Sequence, residues 1–297
     1  MKVLKRYILP LAAALMLAGC AEMPAVPVQP EQETAPAQQE QPVEEQVQPP
    51  EAEPATEPEP AHAPEVELPP EPIYDFNQPA PEREAVDNTY FADAAFVGDS
   101  RTDGFMIYSG IGTGKNLTSN GLSIFKLSEK KALKIGGEKY TLLEALEMDR
   151  YGKVYLCLGV NELGVYDDEG FYNAYLAAID SIRAIQPDAV IYIQGLIPIN
   201  EGEIAASGGN IHLNNEHLRV YNDLMRKAAQ EKQVVYLDLY TEFVDENGEL
   251  PPGASRDGVH LKKEYCQRWL TYLQTHTVEP GELGITTTKI EEERAPV

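Results

Sequence analysis

The chain has 297 residues, room for one or two domains at roughly 150 residues each. Against 24 Lys+Arg stand 48 Asp+Glu, a formal net charge of −24, which argues against binding a nucleic-acid phosphate backbone. Three cysteines exclude a disulfide-rich scaffold, and a mean hydropathy of −0.35 excludes a polytopic membrane protein. The charge is uneven: residues 1–20 carry +3, residues 21–88 carry −16 and residues 89–297 carry −11.

Residues 1–19 read as an export signal. MKVLKRY is a short basic start, ILPLAAALML is an apolar run too short to span a bilayer, and LAGC ends at Cys20. Leu17-Ala18-Gly19-Cys20 resembles a bacterial lipobox, in which the Cys is lipid-modified and becomes the new N-terminus. That resemblance implies a lipoprotein of the bacterial cell envelope, held to a membrane through Cys20. An ordinary signal peptide with an incidental Cys, or an uncleaved anchor, is the alternative. Residues 20–88 read as the lipidated Cys followed by a disordered tether. Residues 21–88 hold 16 of the 23 prolines and no glycine, so neither helix nor sheet propagates, and like-charged Glu residues favour extension. At about 3.1 Å per residue the tether would reach on the order of 200 Å. It serves as a spacer or as a docking segment; His62 within it is expected to be solvated.

Residues 89–277 read as one α/β domain. AAFVG (94–98) predicts a strand and 101–109 the helix after it. KIGGEKYT (134–141) predicts a small hairpin turning at Gly136-Gly137, and LLEALEMD a short helix. Buried strands are expected at 153–159, 189–198 and 234–239, and helices at 171–185, 213–231 and 262–274. Short apolar strands alternating with helices imply a parallel sheet covered on both faces. The polar stretch 278–297 reads as a frayed tail.

In such a sheet, ligands bind beyond the carboxyl ends of the strands. The polar residues expected there are Gly98-Asp99-Ser100, Asn120-Gly121, Asn161-Glu162 and, before the last helix, Asp257-Gly258-Val259-His260. A Ser hydroxyl needs a base, a His supplies one, and a carboxylate on the other ring nitrogen fixes the tautomer. Asp257 and His260 are three apart in a loop, close enough for that contact. The backbone N–H groups of Ser100 and Gly121 and the Asn161 amide are candidate oxyanion donors.

These four blocks resemble the SGNH/GDSL hydrolases. Gly98-Asp99-Ser100 matches the first block, Gly121 in LTSNGLS the second, Gly159-Val160-Asn161-Glu162 the Gly-x-Asn-Asp third, and Asp257-Gly258-Val259-His260 the last. The resemblance covers about residues 93–275. It implies a flavodoxin-like three-layer α/β/α sandwich and a Ser100–His260–Asp257 triad. It also implies an oxyanion hole from Ser100, Gly121 and Asn161, with no metal or organic cofactor. Glu162 departs from the usual Asp, and Arg101 stands where a Leu is usual. The activity so implied is a cell-surface serine esterase acting on a short, acetyl-like ester of a cell-wall or environmental polysaccharide, with a monomeric catalytic domain and no nucleic-acid partner. An O-acyltransferase using the same triad and a non-catalytic glycan-binding lipoprotein are the alternatives.

Other residues have plainer readings. Asp99 is expected to brace the serine turn. Arg101 either binds a substrate carboxylate or pairs with Asp103. His212 and His217, five apart, fit no zinc motif. Cys157 and Cys266 are expected in the core. Gly112 and Gly114 fit a turn better than a phosphate loop. The 16 tyrosines, Tyr151 and Tyr155 among them, are mostly packing, with some available to line a sugar-sized cleft.

Overall fold

Short strands of three to five residues, mostly apolar except for Lys115–Thr118 at one edge, form the central sheet. A computed structural model describes residues 73–285. In chain order the elements are β1 (Ala94–Gly98), α1 (Ser100–Tyr108), β2 (Lys115–Thr118), β3 (Leu133–Ile135), β4 (Glu138–Tyr140) and α2 (Leu142–Leu146). They continue with β5 (Lys153–Cys157), α3 (Asp168–Ile185), β6 (Val190–Gln194), α4 (Glu201–Ala206), α5 (Asn215–Lys232), β7 (Val235–Leu237), α6 (Leu239–Phe243) and α7 (Lys263–Thr275).

The strands β2-β1-β5-β6-β7 form one parallel sheet, and β3–β4 is a separate antiparallel hairpin. β1 and β6 are buried along their whole length because both faces are covered by helices, which explains their apolar sequence up to Gln194, whose Oε1 accepts from Trp269. The chain leaves β1 for β2 on one side and then returns for β5 on the other, with Gly98 in register with both Thr118 and Cys157. That reversal opens a crevice at the carboxyl ends of β1 and β5. This is the expected α/β sandwich.

One face packs against α2, α3 and α5, with Phe171, Tyr175, Ile179 and Ile182 of α3 in the core at helical spacing. The other packs against α1, α6 and α7; there Phe105 meets Trp269 at 4.8 Å, and the Trp269 indole donates to Gln194 Oε1 at 2.9 Å. On this face Phe96, Tyr155 and Tyr192 stack across β1, β5 and β6 with ring planes within 8°. Tyr155 is thus a core residue of this face, and Tyr151 is a core residue of the other.

Boundaries shift where polar caps decide them. α3 begins three residues before its apolar pattern, because Asp167 accepts from the Gly170 N–H and Asp168 and Glu169 occupy the first turn. β7 stops at Leu237, because Asp238 caps α6 by accepting from the Thr241 N–H.

Two domain limits need correction. Residues 73–88, assigned to the tether, lie on the folded body. The Ala80 N–H donates to the Tyr236 carbonyl at 2.9 Å and the Arg83 N–H to the Thr275 carbonyl at 2.7 Å, while Arg83 clasps Glu282 through two 2.7 Å bonds. The strap docks as irregular chain, with a turn at Asp75–Gln78 and no α-helix or strand, so its prolines are no obstacle. Residues 278–285 are likewise packed rather than frayed: Val278 is buried, and its N–H and carbonyl both meet the Tyr192 hydroxyl. Cys20, the signal segment, the tether up to residue 72 and the tail from 286 lie outside the described residues. Among the described residues no helix is long and apolar enough to cross a membrane.

Candidate active site

The serine stands where β1 hands over to α1. Gly98 ends the strand; a Cβ there would sit 2.0 Å from Thr102 Oγ1 and 2.9 Å from the Cys157 carbonyl, so only glycine fits. Asp99 caps α1 by accepting from the Arg101 N–H at 2.9 Å. Ser100 is therefore the first residue of the helix. Its N–H belongs to the first turn, which has no partner within the helix, and its hydroxyl lies at the positive end of the dipole.

The histidine stands on a tight loop before α7. Ser255 bridges to Leu261, and the Arg256 N–H donates to the His260 carbonyl at 2.9 Å. Inside the loop, Asp257 Oδ1 accepts from the backbone N–H groups of Val259 (3.0 Å) and His260 (2.8 Å). Asp257 Oδ2 lies 2.7 Å from His260 Nδ1, and His260 Nε2 lies 2.9 Å from Ser100 Oγ. The topology thus joins, across 160 positions, the hydroxyl, the imidazole and the carboxylate expected to act together. Burial opposes ionisation of Asp257, but the bonds from the His260 backbone and ring and from Val259 outweigh it, and the carboxyl titrates below its ordinary value. The His260 and Asp257 side chains remain 43% and 42% exposed, so solvent reaches them.

The loop is held from behind by α4, an element without a strong apolar pattern. The Asn200 N–H donates to the Gly258 carbonyl at 2.9 Å. Glu203 accepts from the Gly253 N–H at 2.7 Å and from the Ser255 hydroxyl at 2.5 Å. Sequence reasoning missed Asn200 and Glu203 as supports. The signal was present: Asn followed three residues later by Glu is a helix-start pattern, and Asn200 does cap the Glu203 N–H. Here the Glu carboxylate reaches the catalytic-type loop instead of its own cap.

The other two blocks come together beyond the end of β1. The Ser119 N–H donates to the Gly98 carbonyl, and the turn that follows brings Gly121 to φ +67° with an exposed backbone. Asn161 sits in a short 3-10 turn after β5, its amide nitrogen 3.0 Å from the Leu122 carbonyl and 3.3 Å from Asp99 Oδ2. Both amide protons therefore have protein acceptors, and donation to an oxyanion requires loosening the longer contact, to Asp99. Glu162 is buried below; its Oε1 accepts from the Ile124 N–H at 2.8 Å, locking the Gly121 loop to the Asn161 turn. Burial raises the Glu162 carboxyl, and Oε2 has no partner within hydrogen-bond geometry.

Asp99 is 2% exposed, and burial pushes its carboxyl up to about 6. It braces the turn, as expected. Arg101 follows neither reading offered for it: its guanidinium is buried and donates to the Ile197 carbonyl at 2.8 Å and the Pro198 carbonyl at 3.4 Å. Asp103 instead accepts from Asn116 and Thr118. His217 has both ring nitrogens engaged, with the Leu163 carbonyl and Asp168. Cys157 and Cys266 are unpaired and buried, which raises both thiols, to about 12 and about 11.

A cavity of about 320 Å³ opens over the serine; Ser100, Asp103, Asn120, Asp257 and His260 supply much of its polar wall, with Ile107, Tyr108 and Leu261 beside them. A cavity of about 420 Å³ beneath the 79–82 strap is larger but pairs no serine with an imidazole. The arrangement at Ser100 can deprotonate a hydroxyl and stabilise an anion beside it, which is the chemistry of acyl transfer.

The model of the GDSL-like lipase/acylhydrolase family matches residues 96–267, more than half of the chain. Among solved structures, a Streptococcus pneumonia protein proposed to be a platelet activating factor is 22% identical, with a TM-score of 0.50 over 64% of this chain and 84% of that one. A GDSL-like lipase from Bacteroides thetaiotaomicron is 14% identical, with a TM-score of 0.45 over 61% of this chain and 86% of that one. An acetyl xylan esterase is 16% identical, with a TM-score of 0.43 over 61% of this chain and 96% of that one. No curated protein matches. The sandwich and the ordered blocks from Gly98 to His260, together with that match, make the chain an ester hydrolase of the GDSL-like lipase/acylhydrolase family.

Proposed function

We propose that the protein is a membrane-tethered serine esterase that removes a short acyl group from a polysaccharide. One observation carries this reading: the unbroken relay Asp257–His260–Ser100, at 2.7 and 2.9 Å. His260 Nε2 takes the proton of Ser100 Oγ as the oxygen attacks the ester carbonyl. Asp257 keeps the Nδ1–H tautomer and stabilises the imidazolium. The oxyanion is met by the Ser100 and Gly121 N–H groups and, once its contact to Asp99 loosens, by the Asn161 amide; such donors are worth about 3–4 kcal/mol each. His260 then protonates the leaving alkoxide, and a water deprotonated by the same nitrogen hydrolyses the acyl-enzyme.

Two features support the choice of substrate and acceptor. A long acyl chain would gain about 0.8 kcal/mol per buried CH₂, but the cavity offers few aliphatic side chains, chiefly Ile107 and Leu261, among polar ones. A small acyl group on a hydroxylated carrier fits that lining better. The 43% exposed imidazole is open to bulk water, the most abundant acceptor available to the acyl-enzyme. Location rests on the basic start, the short apolar run and Cys20, with the proline-rich spacer separating lipid from enzyme. In the test, p-nitrophenyl acetate is cleaved by the wild type, Ser100→Ala falls to background, and a fluorophosphonate probe labels the first and spares the second. Equal rates for the two proteins would remove the mechanism.

A further inference from the structure

We infer that Arg256 is an anion-recognition residue of this cleft and that the ester substrate carries a carboxylate or phosphate beside its acyl group; the inference rests on the esterase reading above. Arg256 immediately precedes Asp257, and its N–H is bonded to the His260 carbonyl, so its position relative to the imidazole is set by the loop itself. Its side chain is exposed and lines the same cavity as Ser100. The guanidinium lies over the Tyr108 ring, 4.6 Å from the centroid, a contact that orients it; beyond Tyr108, its side-chain donors are bonded to no other described residue.

No carboxylate among the described residues lies within ion-pair distance of it. What sets Arg256 apart from the other arginines is its place, on the wall of the cavity that holds Ser100 and His260. The other charges of the cavity wall are already engaged. Asp257 faces His260, Asp103 is bonded to Asn116 and Thr118, and Arg101 is sequestered against two carbonyls. Arg256 is left as the one cation of the wall that can offer planar, paired donors to an incoming anion. It also offsets the repulsion an anionic glycan would meet from a body with net charge −11 over residues 89–297. A cavity of about 320 Å³ is of the size that admits a sugar unit, so the anion and the scissile ester can lie on the same residue of the chain.

The test compares mono-O-acetyl glucuronate, mono-O-acetyl glucose 6-phosphate and mono-O-acetyl glucose with the full-length protein. Wild type is expected to prefer at least one anionic ester over the neutral one by about five- to tenfold in kcat/KM. Which anion wins separates a sugar acid from a phosphorylated sugar. The preference should shrink at about 0.5 M salt, fall below about twofold in Arg256→Gln and survive in part in Arg256→Lys. A wild type that cleaves all three equally, or an Arg256→Gln protein that keeps the preference, overturns the inference and leaves the esterase reading standing. If the wild type cleaves none of them or p-nitrophenyl acetate, the esterase reading fails. Calorimetric binding of glucuronate against glucose by wild type and Arg256→Gln then decides the anion site alone, and equal affinities reject it.

Discussion

Replacing Asp257 by Ala and by Asn separates two jobs of one carboxylate. Its Oδ1 is occupied by two backbone N–H groups and its Oδ2 by the His260 ring. In Asp257→Ala the imidazole keeps its freedom of tautomer but loses a neighbouring charge. For charges about 4 Å apart the attraction is about 1 kcal/mol in water and about 4 kcal/mol near a protein surface. The pair is half-exposed, so about 2–3 kcal/mol is the appropriate range, or a 30- to 150-fold loss of kcat at about 1.36 kcal/mol per decade. In Asp257→Asn the single carbonyl oxygen is claimed by the Val259 and His260 N–H groups. The amide NH₂ then faces Nδ1, which must become an acceptor, and Nε2 carries the proton toward Ser100. That tautomer cannot accept the serine proton, and the loss should approach 10⁴-fold. Initial rates of p-nitrophenyl acetate hydrolysis at neutral pH, with circular dichroism to verify folding, give the order wild type, Ala, Asn. An Asn variant as active as the Ala variant, or more so, would show that the carboxylate does not set the tautomer.

Gly258 and Gly121 both have positive φ, +89° and +67°, but differ in their surroundings. A Cβ on Gly258 would lie 2.4 Å from Ile204 Cγ1 and 2.5 Å from the Asn200 carbonyl, whereas one on Gly121 meets nothing within 4 Å. Gly258→Ala should lose about 3 kcal/mol or more, lowering Tm by about 6–12 °C and abolishing activity through the displaced loop; Gly121→Ala should lose only about 1 kcal/mol. Calorimetric scans that rank the two in the opposite order would refute the packing argument. Asp99 makes stability pH-dependent. Its folded carboxyl, at about 6, holds its proton more tightly than the unfolded one at 3.8, so its contribution is full below about pH 4 and is lost as pH rises through 6. The loss is about 3 kcal/mol in size. Asp99→Asn keeps an acceptor for the Arg101 N–H and should flatten that part of the urea-unfolding profile; an unchanged slope between pH 4 and 6 rejects the buried-charge explanation.

The strands and long helices were legible because burial on two faces leaves uninterrupted apolar runs, as in AAFVG and VIYIQ, and because one-sided burial leaves 3.6-residue spacing, as in α3. β2, with Leu117 as its one buried residue, and the five- and six-residue helices α4 and α6 carry too little apolar sequence to stand out. The 73–88 strap was illegible for a related reason. Besides the Arg83–Glu282 pair and the buried Tyr74 and Ala80, which follow no helical or strand spacing, it binds through backbone hydrogen bonds to Tyr236, Gln274 and Thr275, and such bonds leave no residue pattern.

The order and chemistry of the four blocks belong to the sequence alone: a hydroxyl, glycine and amide donors, and a carboxylate three residues before an imidazole. Distance belongs to the tertiary structure. Only the strand reversal between β1 and β5 and the bracing of the 255–261 loop by α4 bring His260 to Ser100, and only the packing around α1 decides which charges stay available. Arg101 and Arg256 are the same residue type in sequence; one is spent on two backbone carbonyls and the other faces the cleft. Solvent access and hydrogen-bond competition make that difference, and both depend on groups remote along the chain.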